Sequence, residues 1–350
     1  MDVDLFDYVL PKKLISQKLV LPRDRCKLLV YNREEKSINH CVFYDISKYL
    51  GNNDVLVLNN TKVFPSRLMG EKETGGKIEV FLLNPVDNDF SLNVNGNWNI
   101  LVNKKIHDGI KIQFKNILSG VINIDGDIIK IKFDKKGKAL WKAIYKLGNM
   151  PIPPYIKSKE DEKHYQTIYA KEVGSCAAPT AGFHFTDRLF NKLKKQGVKI
   201  EFVTLHVGLG TFEPIKVDEV EKHKMHTEFL SIDDKVAKRL TKYKKEGKNI
   251  VAVGTTVVRT LESIYDGNLF RTDVNKTNIF IYPGYKFKAI DKFVTNFHFP
   301  RSTPLMMVAA FIQNKQKDFD ISRSELLRIY KMAVEKEYLF YSFGESMFII

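Results

Sequence analysis

Short apolar runs separated by turns, and later by stretches with a helical repeat, give the chain its first outline. LLVYN, HCVF and DVLVLN, from Leu28 onward, have the leucine-rich, β-branched character of strands, and DISKYL between them predicts a short helix capped by Asp45. That is an α/β beginning. Pro65 then argues against an uninterrupted central strand, and Gly75-Gly76 marks a tight turn with Arg67, Thr74 and Glu79 around it. Between Lys77 and Phe133 the segments KIEVFLL, WNILV, GIKIQF, SGVINI and GDIIKIKF follow one another, with turns around Gly109, Gly120 and Gly126. This pattern predicts an all-β unit, and a small barrel is the economical way to remove its strand edges.

A helical period returns in KGKALWKAIYKLG, where Leu140, Ala143, Ile144 and Leu147 share one face. The prolines of PIPPYI impose an extended backbone, and Lys157 to Lys163 predicts a charged loop. Thr186 caps a helix with Leu189, Phe190 and Leu193 inward and Gly197 as its stop. Asp233 to Gly247 predicts an amphipathic helix with Val236, Leu240 and Tyr243 inward. NIVAVGTTVVRTLES runs a buried-type strand through Gly254 into another helix. NIFIYPGYKF, KFVTNFHF, STPLMMVAAFI and a Ser324 to Glu337 helix continue the alternation. The expected fold is therefore α/β with an all-β insert. Its larger domain is divided, with residues 1–70 before a β-barrel at 71–148 and residues 149–350 after it.

Composition adds a partner to this outline. The 350 residues are 44% hydrophobic and 28% charged, ordinary for a globular protein and too apolar for disorder. The net charge of +15 points to a polyanion, with nucleic acid foremost. A solvated lysine-rich surface explains the charge equally well. MDVDLFDYVL has acidic residues where a signal peptide carries positive charge, and Pro304 to Ile312 falls far short of a membrane span, so a cytoplasmic protein without membrane contact is expected. Cys26, Cys41 and Cys176 have no CxxC spacing, and HKMH at His223 to His226 lacks the Glu of HExxH, so no metal site is expected.

Candidate chemistry gathers at strand ends. His184, His206, His226 and His298 all lie in polar, Gly- or Thr-containing stretches, and His206 directly precedes Gly208 and Gly210 after a strand. The GLG run lacks the rest of GxGxxG, so a dinucleotide fold is not supported. Thr255, Thr256 and Arg259 open a helix directly after Gly254, where free N–H groups favour a carboxylate or phosphate. Arg67, Thr74, Gly75, Gly76 and Glu79 form either a ligand-binding turn or a solvated hairpin.

AAPTAGFHFT, LHVGLGTFEP, MHTEF, VGTTVVRTLES, IFIYPGYKFK and TNFHFPRST resemble, in the same order, the S-adenosylmethionine:tRNA ribosyltransferase-isomerases of queuosine biosynthesis. FDYVLP, LVLNNTKVFPSRL, ETGGKIEV and YLFYSFGESMFII carry the likeness nearly end to end. The resemblance implies a Greek-key-like β-barrel inserted into a barrel-like α/β catalytic domain. It also implies transfer of the ribosyl portion of S-adenosylmethionine to 7-aminomethyl-7-deazaguanine at the tRNA wobble position. The ribosyl unit is rearranged to an epoxycyclopentanediol, and adenine and methionine leave. S-adenosylmethionine is then a consumed co-substrate, and the partner is a tRNA anticodon stem-loop bound by a monomer.

Within that chemistry the sulfonium acidifies the C5′ hydrogens, and His206 is the expected base, with His184 or His298 protonating a departing group and Glu228 assisting a positive charge. Thr255, Thr256 and Arg259 are expected on the methionyl carboxylate or the ribose, Gly208 and Gly210 beside the substrate, and Glu79 on the aminomethyl group, next to Thr74, Gly75 and Gly76. Lys104, Lys105, Lys111, Lys130 and Lys132 of the insert are candidate tRNA contacts. Lys62, Phe183 and Pro304 depart from the family pattern, where Arg, Leu and an apolar residue are usual. Two other readings stay open. A noncatalytic basic RNA-binding protein explains the charge, and a transferase acting on free nucleosides predicts activity without tRNA.

Overall fold

The computed structural model describes residues 1–153, 155–156, 164–208, 215–313 and 319–350. Gly210 and the charged loop at Lys157 to Lys163 lie outside the described residues. The strands of the first stretch are β1 (Lys27–Asn32), β2 (Ser37–Val42), β3 (Asp54–Asn59) and the short β4 (Thr61–Val63). The insert supplies β5 (Arg67–Lys72), β6 (Lys77–Pro85), β7 (Asn97–Val102), β8 (Lys111–Phe114), β9 (Leu118–Asp125) and β10 (Ile128–Phe133), followed by α1 (Gly137–Leu147). After it come β11 (Glu172–Ser175), α2 (Asp187–Lys195), β12 (Lys199–His206), β13 (Glu228–Ser231), α3 (Asp234–Lys245), β14 (Asn249–Val253) and α4 (Thr255–Ile264). The chain closes with β15 (Lys276–Thr277), β16 (Lys292–Asn296), α5 (Thr303–Gln313), α6 (Phe319–Glu335) and β17 (Ser346–Ile349).

The insert closes into an antiparallel barrel in the order β10-β7-β6-β5-β8-β9. After the meander of β5, β6 and β7, β8 returns to lie beside β5, which is the Greek-key order. Alternation fills the interior with Leu68, Ile78, Val80, Trp98, Ile112 and Ile131, and α1 plugs one side with Leu140, Trp141 and Ile144. Closure leaves the barrel no free edge.

Among the described residues the other large sheet has nine strands in the order β15-β13-β12-β3-β14-β16-β17-β1-β2. Its centre is buried on both faces, which is why DVLVLN and NIVAV are apolar without alternation. Val55, Val57, Ile250 and Ala252 pack with α3 to α6, while Leu56, Leu58, Val251 and Val253 face α2 and the 43–50 segment. Each such Val, Leu or Ile side chain contributes roughly 1.5–3 kcal/mol through burial. β12, β3, β14 and β16 are mutually parallel, so their carboxyl ends share one edge. That edge gathers His206, Asn59, Gly254 and Asn296.

Three local expectations differ from the structure. The DISKYL helix is a 3-10 turn over Phe43–Lys48 without a side-chain cap, and Asp45 pairs with Lys48 at 2.9 Å instead. NIFIYPGYKF is not a strand, because side chains and a turn take its backbone groups: the Ile279 N–H donates to the Thr277 hydroxyl, the Ile279 carbonyl accepts from the Arg259 Nε, the Gly284 N–H donates to Gln313 Oε1, and the Tyr285 N–H donates to the Tyr282 carbonyl. The last helix starts at Phe319, five residues before the expected Ser324. Pro304 sits in the first turn of α5, where its missing N–H costs nothing. Phe183 is fully buried against Tyr165 and Phe343, with ring centroids at 5.7 and 5.9 Å. Lys62 occupies the middle of β4, opposite Val173.

Candidate active site

His206 ends β12 at the shared strand edge, part-buried where the sheet meets the barrel. Its Nδ1 lies 2.8 Å from the Thr61 hydroxyl, and its ring centroid is 4.9 Å from that of Phe90. Gly174 makes this approach possible. A Cβ there would come within 2.8 Å of three atoms of the imidazole, so a side chain at that position would push the ring away. Burial lowers the His206 pKa to about 4, and the imidazole is therefore neutral at pH 7.

His206 opens on a cleft of about 370 Å3 between barrel and sheet, which Gly208, His226 and Glu228 also line. Glu228 is buried on β13, accepts from the Gly208 N–H at 3.0 Å and pairs with Arg259 of α4. The Arg259 Nε donates to the Ile279 carbonyl at 3.3 Å, and among the described residues its Nη2 has no hydrogen-bond partner. Arg259, Thr255 and Thr256 line a small cavity of about 30 Å3 beside the cleft. Gly254, at φ +89°, turns the chain from β14 into α4 in a conformation that side chains resist.

A third cavity, of about 120 Å3, adjoins the cleft at Val207 and the small cavity at Thr255 and Thr256. Tyr155, Phe297, Phe299 and Tyr341 give it aromatic walls, and His298, Thr180 and Asn296 give it polar ones. The His298 Nε2 is 2.8 Å from the Thr295 hydroxyl. His184 stands behind this wall, fully buried, with Nδ1 3.0 Å from Cys26 Sγ and Nε2 3.2 Å from Asn296 Nδ2. It lines none of the three cavities. Burial lowers the pKa of both His184 and His298 to about 3, with the Arg23 charge adding to the effect at His184.

These depressed values tie stability to pH. The folded chain resists protonating imidazoles that the unfolded chain accepts near pH 6.5, so their contribution is complete above that pH and is lost as pH falls toward 4 and 3. His184→Gln is expected to flatten the slope of unfolding free energy against pH by about 1.4 kcal/mol per unit between about pH 6 and 4.5. Urea titrations of both proteins across that range measure it, and equal slopes would show that His184 is not held neutral.

The structure thus brings together His206, Gly208, Glu228, Thr255, Thr256 and Arg259, and places His298 in the adjoining cavity. It does not bring Arg67, Thr74, Gly75, Gly76 or Glu79 to them. Thr74 to Gly76 form an exposed hairpin turn, and Glu79 pairs with Arg67 at 2.8 and 3.0 Å on the outer face of the barrel. The barrel reaches the cleft through Asn84, Phe90, Asn99, Leu101 and Asp127 instead. Asn59 is a further residue that the sequence did not single out. Buried at the end of β3, it donates to the Leu205 carbonyl and to Thr256 Oγ1, and accepts from the N–H groups of Thr61 and Leu205. It locks β12 to the start of α4.

A family model described as queuosine biosynthesis protein matches residues 3–349. The chain belongs to this family. Across its whole length it is similar to two of the family's named enzymes, each called S-adenosylmethionine:tRNA ribosyltransferase-isomerase. The one from Clostridioides difficile (strain 630) is 45% identical over 356 residues, 98% of each chain. The one from Staphylococcus haemolyticus (strain JCSC1435) is 44% identical over 360 residues, 100% of each. A crystal structure of an S-adenosylmethionine tRNA ribosyltransferase from Thermotoga maritima aligns with a TM-score of 0.54 at 33% identity, covering 99% of this chain and 100% of that one. Among the described residues no helix is long and apolar enough to cross a membrane, and no group of three His, Cys, Asp or Glu is placed to hold a metal.

Proposed function

We propose that this chain is an S-adenosylmethionine:tRNA ribosyltransferase-isomerase, acting as a cytoplasmic monomer on an anticodon stem-loop that carries 7-aminomethyl-7-deazaguanine. The observation that carries the proposal is the meeting of three cavities at one strand edge. A neutral histidine stands on one side and an arginine-bearing helix start on the other, in a chain 44–45% identical over nearly its whole length to two enzymes of that name. A noncatalytic RNA-binding protein has no need of such an edge.

In this reading the aromatic cavity takes the sulfonium end of S-adenosylmethionine, since a cation is attracted to aromatic faces. The methionyl carboxylate lies against the first N–H groups of α4, beside Thr255 and Thr256, within reach of Arg259 Nη2. His206 acts as the base. The Thr61 hydroxyl lies 3.5 Å from the Glu172 carbonyl; donating there, it accepts from Nδ1–H and leaves the Nε2 lone pair toward the cleft. That lone pair takes a C5′ proton, and the electron pair left on carbon is stabilised by the adjacent sulfonium. Glu228 places negative charge beside the imidazolium so formed. His184 and His298 are held neutral and carry no extra proton at pH 7, so their part is to shape the cavity wall rather than to deliver a proton.

Purified protein, S-adenosylmethionine and tRNA bearing the aminomethyl-deazaguanine base are expected to release adenine and methionine together and to add the ribosyl mass to the tRNA. Unmodified tRNA is expected to release neither. Tight tRNA binding without adenine release would return the chain to the RNA-binding reading, and release with the free nucleoside would make it a nucleoside transferase.

A further inference from the structure

The cleft has a second wall, on the barrel side, that the proton transfer leaves unused. β6 and β7 set Asn84 opposite Asn99, just past the irregular step after Leu82, and β10 sets Lys130 on the other side of Asn99. Opposed positions share a face, here the outer face of the barrel. The Asn84 Nδ2 is taken by the Pro85 carbonyl at 2.9 Å and by Asn88 Oδ1 at 2.7 Å, which leaves Oδ1 as its acceptor. Among the described residues the Asn99 amide makes no hydrogen bond within the chain. Asp127, in the turn before β10, brings an exposed carboxylate to the same cleft, and Phe90 and Phe229 bring apolar surface.

Two side-chain acceptors and one free amide in a cleft with aromatic surface match one edge of one base. A guanine-type base offers N1–H and N2–H2 donors next to the O6 acceptor, whereas adenine lacks both of those donors. We propose that this wall reads the Watson–Crick edge of a guanine-type base turned out of an RNA loop, with Asn99 as the specificity-determining residue. The proposal rests on the reaction given above. Bases that undergo chemistry are extruded from their stack and recognised at that edge. On a 7-deazaguanine the 7-substituent projects from the five-membered ring, away from N1 and N2. A base held by Asn84, Asn99 and Asp127 on the barrel side therefore directs that substituent at His206 and Glu228 on the sheet side.

The test uses two anticodon stem-loop RNAs that differ only in guanine or adenine at the wobble position. Their binding to the full chain and to Asn99→Ala is measured by fluorescence anisotropy at one salt concentration. The full chain is expected to prefer guanine by about 10-fold or more, and Asn99→Ala to reduce the preference below about 3-fold, because the lost contact is a hydrogen bond in a built site. Thermal midpoint and S-adenosylmethionine affinity are expected to stay unchanged. An equal preference in both proteins, or none in the full chain, would overturn the assignment. A preference that collapses as expected in a protein that releases no adenine would support the base wall and remove the transfer reaction.

Discussion

Replacing His206 with alanine is expected to slow single-turnover release of adenine by about 10²–10⁴-fold with both substrates saturating, the usual contribution of a positioned proton acceptor. His226 lines the same cleft, and three features direct the role to His206. His206 is the histidine that faces the cleft from a strand end and is packed directly over Gly174. His184 lines no cavity, and His298 lies in the neighbouring one with Nε2 at the Thr295 hydroxyl. The lowered pKa adds a second readout. A base that titrates at about 4 keeps kcat/KM for S-adenosylmethionine level from about pH 5 to 7, with the acid limb below that range, whereas an unperturbed imidazole would bend the profile near 6.5. Near wild-type single-turnover rates in His206→Ala would end the proton-transfer role. An acid limb near 6.5 in the wild type would mean that the ring is solvated, and the tight seat over Gly174 would have to open.

The elements legible in the sequence are those whose signal is local. Period-two runs between glycine turns marked the barrel strands, because a barrel wall has one wet face and one packed face. Thr186 and Asp233 announced α2 and α3 because a cap is a contact within one turn: their side chains accept from the N–H groups of Leu189 and Lys235. The NIFIYPGYKF segment went the other way. Its apolar residues continued the alternation, but Arg259, twenty residues earlier in the chain, and Gln313, twenty-nine residues after Gly284, take backbone groups that a neighbouring strand would have used. No local pattern reports such a long-range partner.

The same distinction runs through the site. The convergence of His206, Gly208, Thr255, Thr256 and Arg259 was legible because each sits just at the end of a parallel strand or on the helix after it, and parallel strands deliver those ends to one edge. The barrel's part was not. Arg67, Thr74, Gly75, Gly76 and Glu79 stood out as a polar turn, yet which face of a closed barrel meets its host is fixed by tertiary packing. The signal that pointed to the cleft was weaker: amides at Asn97 and Asn99 on the outward face of β7, and a register step between Leu82 and Asn84 that re-aims the end of β6. His184 is placed differently: its contacts with Cys26 and Asn296 seat it behind the cavity wall.

The buried pair of Glu228 and Arg259 carries the largest expected effect on stability and separates folding from chemistry. Both side chains are nearly inaccessible, at 4% and 7% exposure, so removing one charge strands the other without water. Glu228→Gln keeps an oxygen for the Gly208 N–H but leaves the guanidinium unpaired, and is expected to cost about 3–5 kcal/mol in unfolding free energy. Arg259→Met removes the guanidinium from the buried carboxylate and should cost a similar amount. Combining the two removes both charges and is expected to restore at least half of the loss, since an apolar replacement of a buried pair is often close to neutral. Activity should not follow. In the double variant the methionyl carboxylate has lost the arginine proposed for it, and S-adenosylmethionine affinity is expected to fall by about 10-fold or more while the fold is regained. Wild-type affinity in that protein would remove Arg259 from the substrate site. A loss below about 1 kcal/mol in Glu228→Gln would mean that solvent reaches the pair, as it reaches an exposed ion pair.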